Sequence, residues 1–247
     1  MAEIPIDQPD LSPEQALKLL EEGEVEEIIG LLPWGSNHTF LVRVTHGDVT
    51  AFAVYKPRRG ERPLWDFPHG TLCQRERAAY VLSETLGWGI VPPTVLRHGP
   101  EGFGSVQWFV PHDPEQNYFT FGAEFADQVQ RIALFDHMVN NADRKAGHCL
   151  LDKHGRIWAI DHGVCFNTQP KLRSVIWDFA GDPIPEDLLC DVEKLCSALE
   201  QTDPPHPLRE LLSLREYEAL QRRVARLLET RSFPYPSTGR HYPWPPI

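Results

Sequence analysis

Hydrophobic and polar residues alternate along two stretches in the first part of the chain, residues 39–45 and 49–55. A His-Gly-Asp tripeptide separates them, and two alternating runs joined by a short glycine-containing turn are typical of a β-hairpin. Residues 91–96 and 105–110 are also strand-like and flank a turn rich in glycine and proline. The pattern therefore predicts a mostly antiparallel sheet early in the chain.

A longer period, with apolar residues three or four positions apart, predicts helices elsewhere. Ser12 and Gln15 form the start signal of a first short helix, because Ser12 can cap it and Gln15 completes a capping box. Four longer helices are predicted at residues 73–86, 124–140, 187–199 and 214–229. The first of these four is inserted in the sheet region, and the other three follow it.

These elements predict an α+β protein in three parts. Residues 1–110 form an N-terminal lobe with an antiparallel sheet and one inserted helix, and residues 111–231 form a mainly helical C-terminal lobe. Residues 232–247 hold five prolines. A segment of that composition is expected to lie extended over the surface or to be disordered.

Composition narrows the range of partners. The 247 residues include 35 acidic and 24 basic side chains, which give a net charge of −11. A negative chain repels nucleic acid and anionic lipid surfaces, so we expect neither nucleic-acid binding nor membrane association. Five cysteines without a CxxC pair argue against a disulfide framework and a structural zinc site. The start of the chain has no signal-peptide pattern, so a cytoplasmic protein is expected.

Candidate chemistry is concentrated in residues 140–163, NNADRKAGHCLLDKHGRIWAIDHG. Asp143 lies in a polar loop directly after a predicted helix, His148 follows five residues later, and Asp161 ends an apolar strand. A hairpin between them, at residues 148–160, would bring Asp161 back beside the loop. An Asp after a helix often makes only a local turn, but the joint spacing favours a cleft with two carboxylates and an imidazole.

Phosphoryl transfer needs such an arrangement, because one carboxylate orients the nucleophile and another holds a metal ion against the phosphates. Asp143 is in the position of the first carboxylate. Asp161 opens an Asp-His-Gly tripeptide in the position of the kinase metal motif, D-F-G. Lys145 is placed to neutralise charge on the transferring group, although a solvated lysine is an equally good interpretation.

The predicted sheet supplies the second half of the hypothesis. Lys56 ends the third strand within Ala-Val-Tyr-Lys, which is similar to the kinase V-A-I-K motif whose lysine meets the phosphates. Glu76 on the following helix is placed to pair with Lys56. Ser36 and Asn37 lie in a predicted turn between the first two strands, where backbone N–H groups can bind phosphate oxygens.

Several short motifs together resemble the phosphatidylinositol 3-/4-kinase superfamily, and within it the type II phosphatidylinositol 4-kinases. They are ERAAY at 76–80, GIVPPT at 89–94, GSVQWFV at 104–110, NADR at 141–144 and AIDHG at 159–163. The chain is more remotely similar to bacterial HipA-type kinases. The resemblance implies a two-lobed protein-kinase-like fold, ATP bound between the lobes near Phe109 and Val110, and Mg²⁺ or Mn²⁺ as the cation.

Two departures from the family pattern limit what the resemblance implies. His148 stands where the family usually has Asn, and imidazole is a poor ligand for Mg²⁺. The cysteine cluster that type II lipid kinases acylate is absent from the sequence. His148 is therefore predicted either to bind a metal ion or to form a hydrogen bond nearby. The phosphoryl acceptor is left open between a protein, a small molecule and an inositol lipid.

Three functional hypotheses follow. The first is a metal-dependent kinase that transfers the γ-phosphoryl group of ATP. The second is a nucleotide-binding pseudokinase or adaptor, which the atypical His148 and the weak glycine loop favour. The third is a metal-dependent hydrolase built on His137, His148, His162 and the aspartates, for which the sequence offers no HExxH spacing.

Overall fold

The computed structural model describes residues 8–32 and 37–247. Its first lobe is built on an antiparallel five-stranded sheet with the strand order β1-β2-β3-β5-β4. The strands are β1 (Glu24–Leu31), β2 (Phe40–His46), β3 (Val49–Pro57), β4 (Thr94–Gly99) and β5 (Gly102–Trp108). The predicted hairpin between β2 and β3 is present, with His46 opposite Val49. One inserted helix, α2 (Leu72–Thr85), lies between β3 and β4.

The first helix, α1 (Pro13–Glu22), begins with the capping box that the sequence predicts. The side chains of Ser12 and Gln15 each accept a hydrogen bond from the other's backbone N–H. Leu19 and Leu20 of α1 are buried against Val42, Val106 and other side chains of the sheet. Helix α1 thus covers one face of the sheet and adds its apolar stripe to the core of this lobe.

The β4–β5 hairpin starts and ends about three residues away from its predicted position. Pro92 and Pro93 occupy the predicted start of β4, and proline has no N–H to donate to a strand ladder. The pairing continues instead to Gly99 opposite Gly102. Gly102 has a φ of +94°, which only glycine adopts readily, so the tight turn forms there.

The second lobe is mainly helical. It contains α3 (Ala126–Val139), α4 (Glu186–Glu200), the short α5 (Leu208–Leu211), which the sequence analysis does not predict, and α6 (Leu214–Thr230). A two-stranded ladder, β6 (Cys149–Leu151) with β7 (Ile157–Ala159), follows α3. Buried apolar residues of α3, α4 and α6 pack into one core with residues of α2. The α+β, two-lobed architecture predicted from the sequence is therefore confirmed.

A buried arginine ties the two lobes together. Arg75 of α2 forms an ion pair with Glu216 of α6 and donates from Nη1 to the Cys165 carbonyl at 2.6 Å. The guanidinium also stacks 4.9 Å from the ring centre of Phe67. Because α2 belongs to the sheet lobe and α6 to the helical lobe, these contacts fix α2 against the second lobe.

The proline-rich segment at the end of the chain lies extended against the second lobe. Phe233 is buried at 2% exposure and packs against Phe179. Further along, the His241 carbonyl accepts from the Ser174 N–H at 3.0 Å, and the Pro246 carbonyl accepts from the Ala146 N–H at 2.8 Å. No helix in the described part of the chain is long and apolar enough to cross a membrane.

Candidate active site between the lobes

A buried ion pair shapes the loop after α3. Arg144 is fully buried and binds both carboxylate oxygens of Asp136, with Nε 2.8 Å from Oδ2 and Nη2 3.0 Å from Oδ1. Its Nη1 donates to the carbonyls of His148 at 3.1 Å and Ile160 at 2.9 Å. Nη2 also lies 2.8 Å from His162 Nε2. One guanidinium therefore fixes the loop to the residues just after β7.

Two asparagines complete the loop and present Asp143. Asn140 ends α3 in the left-handed region at a φ of +54°. Asn141 donates from Nδ2 to Asp136 at 2.9 Å, and its Oδ1 accepts from the Asp143 N–H at 3.0 Å. Because both polar atoms of the Asn141 side chain are hydrogen-bonded, buried contacts fix the backbone conformation at Asp143.

Lys56 joins the two lobes at the site. Its Nζ lies 2.8 Å from Asp161 Oδ1 and also forms an ion pair with Glu76. Glu76 is buried, and its second oxygen accepts from the His162 N–H at 3.0 Å. Burial opposes the charge of Lys56, but the carboxylates of Asp161 and Glu76 raise its pKa, so the ammonium is kept charged.

Asp161 is held in an unusual backbone conformation. Its φ is +60°, in a region that costs most non-glycine residues about 1–2 kcal/mol. Burial opposes its charge, but the nearby Lys56 and His148 lower the pKa of the Asp161 carboxyl far below its usual range. The side chain is ionised at neutral pH and still 43% exposed, as a metal-binding carboxylate must be.

His148 lies with its Nε2 3.4 Å from Asp161 Oδ2, while its Nδ1 accepts a long hydrogen bond from the Lys145 N–H at 3.5 Å. Burial lowers the pKa of His148 to about 4, so the ring is neutral at pH 7. Accepting at Nδ1 assigns the proton to Nε2, which faces Asp161. This tautomer turns an N–H toward Asp161 Oδ2, which is 3.4 Å from Nε2. Ligation of a metal by Nε2 would require the opposite tautomer.

Asp143 lies near Asp161 in the second lobe. Burial raises the pKa of Asp143 to about 6, and the negative charge of Asp161 adds to the shift, while Lys145 and Arg173 act against it. Lys145 Nζ is 3.5 Å from Asp143 Oδ2. Asp161, which the sequence places 18 residues after Asp143, is therefore close enough to raise the pKa of the Asp143 carboxyl.

The carboxylate of Asp161 suits a hard divalent cation that takes its remaining ligands from phosphate oxygens and water. Among residues 8–32 and 37–247 there is no group of three or more His, Cys, Asp or Glu side chains arranged to hold a metal ion. Mg²⁺ is usually bound by one or two carboxylates together with phosphate oxygens and water, rather than by a full protein cage. Asp161 fits that requirement.

The segment that connects the lobes has a free carbonyl at Trp108 and a free N–H at Val110 in the described part of the chain. Such groups can form hydrogen bonds to the edge of a planar heterocyclic ring. The Trp108 N–H donates to the Pro93 carbonyl at 2.8 Å, and Pro93 has no N–H to return to the Trp108 carbonyl. Val110 lies two residues further, so its N–H points to the same side of an extended chain. No acceptor for this N–H is present in the described part of the chain.

Both backbone groups of Phe109, in contrast, form hydrogen bonds to other parts of the protein. Its N–H donates to the Phe52 carbonyl at 3.2 Å, and its carbonyl accepts from the side chain of Gln8 at 2.9 Å. Trp108 and Val110 are therefore the better candidates for nucleotide contacts in this segment. Trp108 could not be identified from the sequence as a nucleotide contact, because the strand register, which decides the direction of each carbonyl, is not visible in the sequence.

The predicted phosphate loop is only partly described. Ser36 lies outside the described residues. The Asn37 side chain accepts from the Arg62 N–H at 2.8 Å, which ties the β1–β2 connection to the loop after β3. The proposed role of these two residues in phosphate binding stays a prediction.

The three histidines of the hydrolase hypothesis do not form one cluster. His137 packs edge-on against Trp177 and lies beside Phe233, and burial lowers its pKa to about 4. His162 Nε2 is engaged by Arg144. Since two of the three rings have other partners, the geometry gives this hypothesis no support.

The sequence motifs predict no individual role for Asp136, Asn141 or Arg144. A signal for the first was available, because Asp136 lies on the apolar face of α3, where an unpaired carboxylate would be costly. Such a residue indicates a buried cationic partner. Arg144, the residue next to Asp143, is that partner.

The two lobes, with Lys56, Glu76 and Asp161 meeting between them, define a kinase-type fold. Solved structures agree: the Golgi casein kinase with Mn/ADP bound has a TM-score of 0.55 at 16% identity, covering 89% of this chain and 76% of that one. The Helicobacter pylori proinflammatory kinase CtkA has a TM-score of 0.51 at 11% identity, covering 86% and 94%. At these identities the similarity shows the fold alone.

Within that class, residues 96–220, about half of the chain, match the family model for phosphatidylinositol 3- and 4-kinase. The chain belongs to this family, as the sequence motifs predicted. Protein Rv2133c of Mycobacterium tuberculosis is 39% identical over 92% of this chain and 94% of its own length. Phosphatidylinositol 4-kinase gamma 4 of Oryza sativa subsp. japonica is 34% identical over 37% of this chain, which spans 20% of that protein.

Proposed function

We propose that the protein is an ATP- and divalent-metal-dependent phosphotransferase. The observation that carries the proposal is the position of Lys56, whose ammonium lies between Glu76 of its own lobe and Asp161 of the other lobe. A lysine, an ionised carboxylate and a second carboxylate in one cleft are the groups that phosphoryl transfer requires. The kinase-type fold and the family membership support the same assignment.

Each residue then has a defined task. The Trp108 carbonyl and the Val110 N–H bind the edge of the adenine, and Lys56 binds phosphate oxygens. Asp161 would hold Mg²⁺ or Mn²⁺, a cation that supplies positive charge against the phosphates when it is bound. The Golgi casein kinase structure, described with Mn/ADP bound, supports this choice of ligands.

Transfer itself takes place beside Asp143. Its carboxylate orients the acceptor hydroxyl and accepts its proton as the bond from the hydroxyl oxygen to the γ-phosphorus forms. The bond between the γ-phosphorus and the β–γ bridging oxygen breaks in the same step, and ADP leaves with the electron pair. Lys145, 3.5 Å from Asp143, offers positive charge to the transferring group. Arg144 and Asn141 act through Asp143 by holding its loop, so they are positioning residues.

Two substitutions test the proposal. Asp161→Asn is expected to remove metal-dependent ATP turnover, and Asp143→Asn is expected to reduce turnover by at least about 100-fold while nucleotide still binds. Asp48→Asn, in the exposed β2–β3 turn, is the charge-matched control. Normal turnover in both active-site variants would rule out the assignment. Binding is measured by the rise in melting temperature with ATP and Mg²⁺.

A nucleotide-binding pseudokinase or adaptor is the second candidate. The observation that favours it is His148, whose Nε2 lies 3.4 Å from Asp161 at the position where the family usually has Asn, since imidazole is a poor ligand for Mg²⁺. Such a protein would show the same rise in melting temperature with ATP but no labelled product with any acceptor. The melting temperature with ATP, measured together with an assay for labelled product, therefore distinguishes the two candidates.

A further inference from the structure

The side chain of Gln8 bridges the sheet and the segment that connects the lobes. Its Nε2 donates to the Phe52 carbonyl and to the Phe109 carbonyl, both at 2.9 Å. Its Oε1 accepts from the Phe52 N–H at 2.7 Å. One amide therefore uses both of its N–H donors and its oxygen on backbone groups that lie 44 and 101 residues away along the chain.

Gln8 takes the place of a strand contact at this point. The pairing of β3 with β5 reaches Ala53 opposite Trp108. One residue further, the Phe109 N–H still donates to the Phe52 carbonyl at 3.2 Å. The other two groups of this pair, the Phe52 N–H and the Phe109 carbonyl, are joined through the Gln8 amide. The side chain thus extends the ladder into the connecting segment.

These contacts fix the direction of the two free backbone groups. The Phe109 carbonyl and the Val110 N–H belong to one peptide group, which is planar and trans, so they point in opposite directions. Because Gln8 binds the carbonyl, the Val110 N–H is turned to the other side. The Trp108 carbonyl is fixed in the same way, since the Phe109 N–H of its peptide group is bound to Phe52.

We propose that Gln8 is a positioning residue for the nucleotide base and that it maintains a preference for adenine over guanine. The inference rests on the proposed function, because it assumes that the Trp108 carbonyl and the Val110 N–H bind the edge of the ring. Adenine offers its 6-amino group as a donor and N1 as an acceptor, which match these two groups. Guanine offers an acceptor and a donor in the reverse order, so correctly held backbone groups disfavour it.

An amide of this length suits the position, because two carbonyl oxygens need donors and one N–H needs an acceptor. Glutamate has the same shape, but its ionised carboxylate has no donor and repels both carbonyls. Asparagine keeps the amide on a shorter side chain. Pro9 follows Gln8 and restricts its backbone to extended conformations, so fewer conformations are lost when the side chain binds.

Two ligands test the positioning role, the non-hydrolysable analogue AMP-PNP and inorganic tripolyphosphate, which has no ring. Their affinities are measured by calorimetry in the presence of Mg²⁺. Gln8→Glu is expected to weaken AMP-PNP binding by about tenfold and Gln8→Ala by about fivefold, because the peptide group before Val110 is no longer held. Gln8→Asn should lie between Gln8→Ala and the unsubstituted protein. Gln8→Ala should leave the tripolyphosphate affinity unchanged.

Gln15→Ala is the matched control, because it removes an exposed amide near the same end of the chain and breaks the capping box of α1. The melting temperature of each variant without ligand shows whether it is folded, and Gln8→Asn keeps the comparison possible if a larger change prevents folding. A loss of AMP-PNP affinity in the Gln8 variants that Gln15→Ala does not share supports the positioning role.

Three results would overturn the role: an unchanged AMP-PNP affinity in the Gln8 variants, the same loss in Gln15→Ala, or an equal loss of tripolyphosphate affinity in Gln8→Ala. A lack of AMP-PNP binding by the unsubstituted protein would refute the proposed function itself. AMP-PNP binding that does not depend on Gln8 would refute the positioning role alone.

Competition between AMP-PNP and GMP-PNP tests the preference between the two rings. The ratio of the two affinities is expected to fall by about threefold or more in Gln8→Ala, since backbone groups that can turn reject guanine less strongly. Gln15→Ala should keep the ratio of the unsubstituted protein. An equal ratio in Gln8→Ala and the unsubstituted protein would contradict the role of Gln8 in base selection.

Discussion

The Asp136–Arg144 ion pair is the contact whose removal should affect both stability and activity most. Arg144→Met removes two hydrogen bonds to Asp136 and two to backbone carbonyls, and it leaves the Asp136 carboxylate buried without a counter-charge. Asp136→Ala leaves the guanidinium buried in the same way. The loop that carries Asp143 loses its attachment to the residues after β7 in both cases.

Breaking a buried ion pair by removing one partner typically costs about 3–5 kcal/mol, because an uncompensated charge stays in a medium of low polarity. Both side chains are almost fully buried here, so the full range applies. Since a domain is stable by about 5–15 kcal/mol, each single variant is expected to lose a large part of its stability. Removing both charges should cost less than the sum of the two single changes.

Urea unfolding of both single variants and the double variant measures these free energies, and ATP turnover is recorded in parallel. Arg222→Met is the control, since it breaks an exposed pair with Glu218 on α6 that is worth about 0.3–0.5 kcal/mol. Arg144→Lys keeps the charge with fewer donors and is expected to be intermediate. The reasoning would be refuted if the losses in unfolding free energy of the two single variants simply added up to that of the double variant. It would also be refuted if either single variant lost no more stability than Arg222→Met.

Three further predictions follow. Lys56→Met is expected to lower ATP turnover by at least about 100-fold, because the phosphates lose their fixed cation, and steady-state kinetics measure this. The kcat/KM for ATP should fall as pH decreases through about 6, since Asp143 then takes up a proton and can no longer act as a base, and Asp143→Asn should lack this step in the pH profile. Deletion of residues 241–247 removes the carbonyls that hold Ser174 and Ala146 and should lower turnover about tenfold while the chain remains folded through Phe233.

Each of these predictions has a control. Lys153→Met replaces an exposed lysine in the β6–β7 turn and should leave turnover unchanged. Ser237→Ala combined with Thr238→Ala changes exposed positions of the proline-rich segment without removing the two carbonyls. A control with the same loss as its test variant would show that the change acts through general destabilisation. A pH profile that is flat between pH 5 and 7 would contradict the role of Asp143 as a base.

Periodicity and motif spacing predicted most of the fold and several members of the site. The spacing of Asp143 and Asp161 around a hairpin was enough to place both in one cleft, because the β6–β7 ladder leaves little freedom for the chain between them. The pairing of Lys56 with Glu76 followed from a strand that leads into a helix. These are local features, and local features are visible in a sequence.

The parts that were missed depend on contacts between distant residues. The Asp136–Arg144 pair requires the direction of the loop after α3, and the choice of Trp108 over Phe109 requires the exact pairing of β5 with its neighbours. The tautomer of His148 depends on a backbone N–H three residues earlier in the folded loop. None of these three features can be predicted from residue spacing, because each is decided by tertiary packing.

Manganese binding measured by electron paramagnetic resonance tests the central claim most directly. The free Mn²⁺ signal should decrease when protein and AMP-PNP are present together, beyond the effect of the nucleotide alone, because Asp161 completes the coordination that the phosphates begin. Asp161→Asn should abolish this additional decrease. An equal decrease in the Asp161→Asn protein, or none in the unsubstituted protein, would contradict a metal–nucleotide site between the lobes.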